Sequence, residues 1–117
     1  MFVYGRWLDR EEQAWVAQMP ARAGVVRAVL WRDTRGREGM VVSESRAGAP
    51  VVGRLVEVDE ARLRVLELLH GAFGGLERRT IRVTANMQVV QAEAWVLPRT
   101  PFPSEGWSRA RRPRAQA

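Results

Sequence analysis

Between Pro50 and Val83 the chain writes out a strand, a capped helix, a glycine turn and a second strand without interruption: PVVGRLVEVDEARLRVLELLHGAFGGLERRTIRV. No other stretch restricts the fold as much. Val52, Arg54, Val56 and Val58 alternate with Val51, Gly53, Leu55 and Glu57, the period of two that belongs to a strand. Gly53 inside that strand marks a bulge or a close approach of another backbone. Asp59 is suited to cap a helix over Glu60–Leu69. Leu63, Leu66 and Leu69, flanked by Val65 and Leu68, give that helix an apolar stripe wide enough to lie on a sheet. Gly71, Gly74 and Gly75 end it with positions open to positive φ. Alternation then resumes over Glu77–Thr84.

The flanks supply the rest of a sheet. Met1–Gly5 reads as a short buried strand. Asp9 and Glu12 are spaced as a capping box for a short helix whose inward face holds Ala14, Trp15 and Met19 before Pro20 stops it. Ala23–Trp31 is a strand rich in branched and aromatic residues. Arg32–Gly39 is a polar connection, Met40–Val42 a short apolar run, and Ser43–Pro50 a turn cluster. Ala85-Asn86 is a tight turn into a returning strand over Met87–Leu97. The pattern predicts an α+β chain, a small mixed β-barrel of about five to seven strands with one or two flanking helices. Residues 1–98 form the domain, and 99–117 read as a Pro/Arg-rich tail in which Phe102 and Trp107 are candidates to dock on the body.

Composition removes several classes of function. The 117 residues suffice for one core. There is no cysteine and a single histidine, so thiol chemistry and ordinary zinc sites are not expected, and no cofactor is implied. No apolar run approaches the roughly 18 residues of a membrane span, and the N-terminus lacks the pattern of a secretion signal. A cytoplasmic location is expected. The net charge is +6, with 19 basic residues that are all arginine. Four of these (Arg109, Arg111, Arg112, Arg114) follow Glu105, the last acid, which leaves 15 arginines against 13 acids in the body. A nearly balanced body disfavours nucleic acid as the partner.

The succession of motifs resembles the γ-glutamylcyclotransferase-like family, which includes the AIG2-like proteins. The family's opening strand and Tyr-Gly-(Thr/Ser)-Leu turn correspond to Met1-Phe2-Val3 and Tyr4-Gly5-Arg6-Trp7. Its Pro and Val-x-Gly strand correspond to Pro50 and Val51–Val58. Its helix end, Leu-Asp-x-x-Glu-Gly, corresponds to Leu66-Glu67-Leu68-Leu69-His70-Gly71. Its Tyr-x-Arg-x-x-Val-x-Val corresponds to Leu76–Val83, and its closing Ala-Trp-Val-Tyr to Ala94–Leu97. The resemblance implies a barrel with a cavity at one end, where backbone N–H groups of the turn at Tyr4, Gly5, Arg6 and Trp7, with Gly71, hold a γ-glutamyl group. In active members the Glu at the helix end takes a proton from the substrate's α-amino group. That nitrogen attacks the γ-carbonyl, releasing 5-oxoproline and the amine or peptide; the nucleophile is already in the substrate, so proximity is intramolecular.

The departures fall on this machinery. His70 stands where the family has its Glu, Arg6 and Trp7 replace the small hydroxyl and Leu, and both signature tyrosines are leucines, Leu76 and Leu97. Two residues are candidates to carry the proton: His70, whose ordinary pKa near ~6.5 suits the task, and Glu67, one turn earlier. Arg78, matching the family's Arg, is read as a tie between strand and helix. The missing Glu favours a non-catalytic member with a cavity for a γ-glutamyl compound over an active cyclotransferase. A basic nucleic-acid-associated protein acting through the Arg tail is the third reading.

Overall fold

The strand–helix–turn–strand segment folds as its pattern requires, with the helix shorter than its apolar stripe. In the computed structural model, residues 1–4, 14–15, 17–42, 48–72 and 74–110 are described. The strands are β1 (Phe2–Tyr4), β2 (Ala21–Arg32), β3 (Glu38–Val42), β4 (Ala49–Val56), β5 (Glu77–Ala85), β6 (Gln88–Val96) and β7 (Ser108–Arg109). One α-helix, α1 (Glu60–Leu66), passes directly into a π-helical turn over Glu67–Ala72. Of the helix expected before Pro20, Ala14, Trp15, Ala17 and Gln18 are described and are helical; its Asp9–Glu12 start lies outside the described residues.

The strands run β1-β4-β2-β5-β6, with β3 and β7 both paired to β2. The α+β expectation holds, with a curled sheet forming a half-barrel, but the sheet is not mixed: all the strand pairings among the described residues are antiparallel. The sheet curls until its ends meet: the Leu97 N–H donates to Met40 O at 2.9 Å, and the Tyr4 hydroxyl of β1 reaches β6. Phe2, Tyr4, Val26, Leu30, Met40, Val51, Val83 and Val96 fill the interior. A second cluster (Val3, Val56, Leu66, Trp95) lies on the outer face, where α1 covers it.

Two glycines make the curl possible. Gly24 and Gly53 face one another across β2 and β4. The Phe2 ring lies over both, and a Cβ on Gly53 would collide with that ring and with the Val3 carbonyl oxygen. The glycine inside the alternating run is therefore a close approach, as anticipated.

Helix α1 is capped as expected: Asp59 Oδ1 accepts from the Arg62 N–H at 2.7 Å. The stripe is narrower than the sequence implied. Leu66 is fully buried, whereas Val65 and Leu68 are exposed. The turn widens after Leu66 and carries His70 and Gly71 onto Trp95. Gly75, at φ +71°, reverses the chain, and the Leu76 N–H closes on His70 O at 2.8 Å. At the β5–β6 hairpin the register pairs Ala85 with Gln88. The turn is thus Asn86-Met87, one residue later than the pattern suggested, and both residues adopt positive φ.

The segment after Pro98 stays on the body as far as residue 110. Ser108 and Arg109 pair with Arg32 and Trp31, and the Ala110 N–H donates to Leu30 O at 2.9 Å. Arg99 stacks on the Phe102 ring at 4.3 Å, with Phe102 itself exposed. No helix among the described residues is long and apolar enough to cross a membrane.

Candidate functional site

The candidate residues divide between the two faces of the sheet. Tyr4 points into the barrel and is buried. Its hydroxyl donates to Trp95 O at 2.6 Å and accepts from the Met40 N–H at 2.9 Å. One side chain thereby ties β1, β3 and β6 at the end of the barrel where the β2–β3 hairpin turns. Burial raises the pKa of this hydroxyl well above its ordinary value, the Met40 N–H opposes that shift, and the charge of Glu38 adds to it.

That shift has a consequence for stability at high pH. An unfolded tyrosine ionises near ~10, and the folded one does so only at higher pH. The contribution of Tyr4 is thus fully present below about pH 10 and is lost as pH rises beyond it, because only the unfolded chain ionises there. Tyr4 is the sole tyrosine, so tyrosinate absorbance reports on it alone. We expect that signal to appear together with loss of the far-UV circular dichroism of the fold. A smooth titration near pH 10 with the fold intact would contradict the buried arrangement.

His70 lies on the other side of β6. It is 2% exposed, and its ring centroid is 6.0 Å from that of Trp95 at an interplanar angle of 38°. Gly71 follows it over the same indole: a Cβ there would stand 3.2 Å from Trp95 Cζ3. Gly74 has no room for a side chain, since a Cβ would meet His70 O at 2.5 Å and Leu69 O at 2.7 Å. Glu67 is about half exposed and forms an ion pair with Arg78, Oε1 to Nη1 at 3.0 Å; Arg78 Nε also approaches Glu93 Oε1 at 3.8 Å. Arg78 therefore ties the helix end to β5 and β6, the role the sequence suggested. Gly5, Arg6 and Trp7 lie outside the described residues.

The structure thus gathers His70 and Gly71 under the helix end and holds Tyr4 across β6 from them, with Trp95 between: its carbonyl accepts from Tyr4 and its indole packs against His70. Among the described residues no group of three or more His, Cys, Asp or Glu is placed to hold a metal.

One acidic residue at the Tyr4 end had no part in the sequence reading. Glu38 opens β3 and is 9% exposed. It stands directly opposite Arg32 of β2, with Arg32 Nη2 at 3.4 Å from its Oε2. In sequence it sits inside RDTRGREG, a run polar enough to pass for a loop. The signal available was alternation: Glu38, Met40 and Val42 share one face.

The described residues form clefts at both ends of the barrel. A groove of about 730 Å³ at the opposite end of the barrel is lined by Met1, Met19, Leu55, Val56, Val90 and Glu93, among others; none of the described candidates borders it. A smaller polar cleft of about 300 Å³ lies at the hairpin end, between Asp33, Arg35, Arg37, Gly74, Glu105 and Trp107. The first is the larger of the two; the second lies at the end of the barrel that holds the Arg32–Glu38 pair, which itself lines neither cleft.

Comparison with known proteins agrees with the motif succession. A family model described as "Gamma-glutamyl cyclotransferase, AIG2-like" matches residues 1–109, which takes in every strand described above. No match was found among curated proteins or among solved structures. With the curled sheet, helix α1 and the glycine turn all within the matched span, the chain belongs to the γ-glutamyl cyclotransferase, AIG2-like family.

Proposed function

We propose that this protein binds a small γ-glutamyl-like compound at the hairpin end of the barrel, and that it does so without the helix-end acid/base of active cyclotransferases. The observation that carries this reading is the state of the helix end. The residue at the family's Glu position, His70, is packed under the turn against Trp95. The neighbouring carboxylate, Glu67, is engaged by Arg78 at the surface. A general base must come within hydrogen-bond reach of the proton it removes; a ring held on the outer face of β6 and a carboxylate committed to an ion pair are poorly placed for a substrate lying at the Tyr4 end. The partner in this reading is a small molecule, not a membrane or a nucleic acid, and the tail arginines have no part in it.

Incubation of the full chain with a panel of γ-glutamyl amines and γ-glutamyl dipeptides tests the reading. Little or no 5-oxoproline is expected by chromatographic assay. Robust turnover that His70→Ala abolishes would overturn it and make His70 the proton carrier of an active cyclotransferase.

A further inference from the structure

We propose that Arg32 and Glu38 form the recognition site for the α-amino-acid head of a γ-glutamyl compound, Glu38 holding the ammonium and Arg32 the carboxylate. The assignment rests on the γ-glutamyl reading above and adds to it the residues that select the ligand. Strand register places the pair: Arg32 faces Glu38 and Leu30 faces Met40 across β2 and β3. Side chains two apart on a strand share a face, and Leu30 and Met40 belong to the barrel interior. Arg32 and Glu38 therefore top the inner face at the hairpin end. Tyr4 lies just below, its hydroxyl bonded by the amide of Met40.

The chemistry of the pair matches the head of a γ-glutamyl compound. A glutamate this buried is uncommon unless it is paired, and a carboxylate has lone pairs for more than one donor. Arg32 is 44% exposed at its side chain, so its guanidinium fork can reach both Glu38 and a carboxylate arriving from solvent; guanidinium favours such planar, two-point recognition. An α-amino acid carries its ammonium and carboxylate on a single carbon, and a contacting Glu–Arg pair presents the complementary charges side by side. The field of Glu38 already reaches the Tyr4 hydroxyl, which places its charge at the barrel end and not out in solvent. Asp33 and Arg37, the chain neighbours of the pair, line the polar cleft of about 300 Å³, and this gives the amine or peptide arm of the ligand somewhere to lie. Held against a carboxylate, the ligand's nitrogen stays protonated and is no nucleophile, which accords with binding without cyclisation. A purely structural cross-strand ion pair would show no preference for the two groups on the ligand.

Calorimetric titration of the full chain with three probes separates these outcomes: γ-glutamyl-L-alanine, its N-acetyl derivative, which lacks the ammonium, and 4-aminobutyryl-L-alanine, which lacks the α-carboxylate. In the wild-type protein each deletion should weaken binding by about tenfold or more, the range expected of a charged hydrogen bond. In Glu38→Gln the N-acetyl penalty should shrink to within about threefold while the penalty for the missing carboxylate persists; in Arg32→Gln the pattern should reverse. Comparing penalties within one variant cancels any uniform loss of affinity, and Arg32→Gln alters a half-exposed side chain, so a fold defect in Glu38→Gln does not leave the question open. If both variants keep both wild-type penalties, the Arg32–Glu38 assignment is wrong and the γ-glutamyl reading survives. If the wild-type protein binds none of the three probes, the γ-glutamyl reading itself fails and the assignment falls with it.

Discussion

Gly53→Ala should destabilise the protein by on the order of 3 kcal/mol, the upper part of the range for forcing atoms into a packed site. For a chain of this size that corresponds to a fall in Tm of roughly 10 °C or more. The cause lies in backbone, which cannot step aside: the new Cβ would meet the Val3 carbonyl oxygen of β1 as well as the Phe2 ring. Its register partner supplies the control. A Cβ on Gly24 would stand 2.6 Å from Val83 Cγ1 and 3.4 Å from Phe2 Cε1, both side-chain atoms that can shift. Gly24→Ala should therefore cost clearly less. Thermal melts of the two variants decide the matter, and equal, mild effects would mean that β1 does not cross β4 as closely as described.

Tyr4→Phe carries the second large effect. The substitution keeps the ring and removes one oxygen, yet that oxygen serves both the buried Met40 N–H and the Trp95 carbonyl. Leaving buried polar groups without this partner costs about 1–3 kcal/mol for each group, so a loss of roughly 2–4 kcal/mol is expected by denaturant titration, with little change in m-value. Because the hydroxyl pins β3 and β6 around β1, amide exchange should quicken most at Met40 and Leu97. A variant as stable as wild type would show that the hydroxyl is not what closes the barrel.

Much of this architecture was legible in the sequence because the signals were local. Asp59 caps α1, Gly53 marks a close approach, and the alternations at 51–56 and 77–85 are strands. These are properties of a few adjacent residues. The helix end was less legible. A leucine stripe continuing through Leu69 predicts an unbroken helix, but contact with Trp95, which is distant in sequence, widens its last turn. His70, which the sequence offered as a proton carrier, is brought by that turn against Trp95 and buried there, a placement with no local signal. Glu38 was hidden by its neighbours: three arginines and two glycines within RDTRGREG suggest a loop. Only the pairing with Arg32, six residues back, shows that the run is a tight hairpin whose ends are strand. The pairing of Ser108 and Arg109 with β2 had no local signal at all, since a two-residue strand is fixed entirely by its partner.

The location of the ligand distinguishes the account from its rivals, and amide chemical-shift mapping reads it directly. Adding γ-glutamyl-L-alanine to the isotope-labelled full chain should move the amide signals of Tyr4, Arg32, Glu38 and Met40, at the hairpin end of the barrel. Changes confined to Met1, Leu55, Val90 and Glu93, around the larger groove at the opposite end, or no change at saturating concentrations, would contradict it.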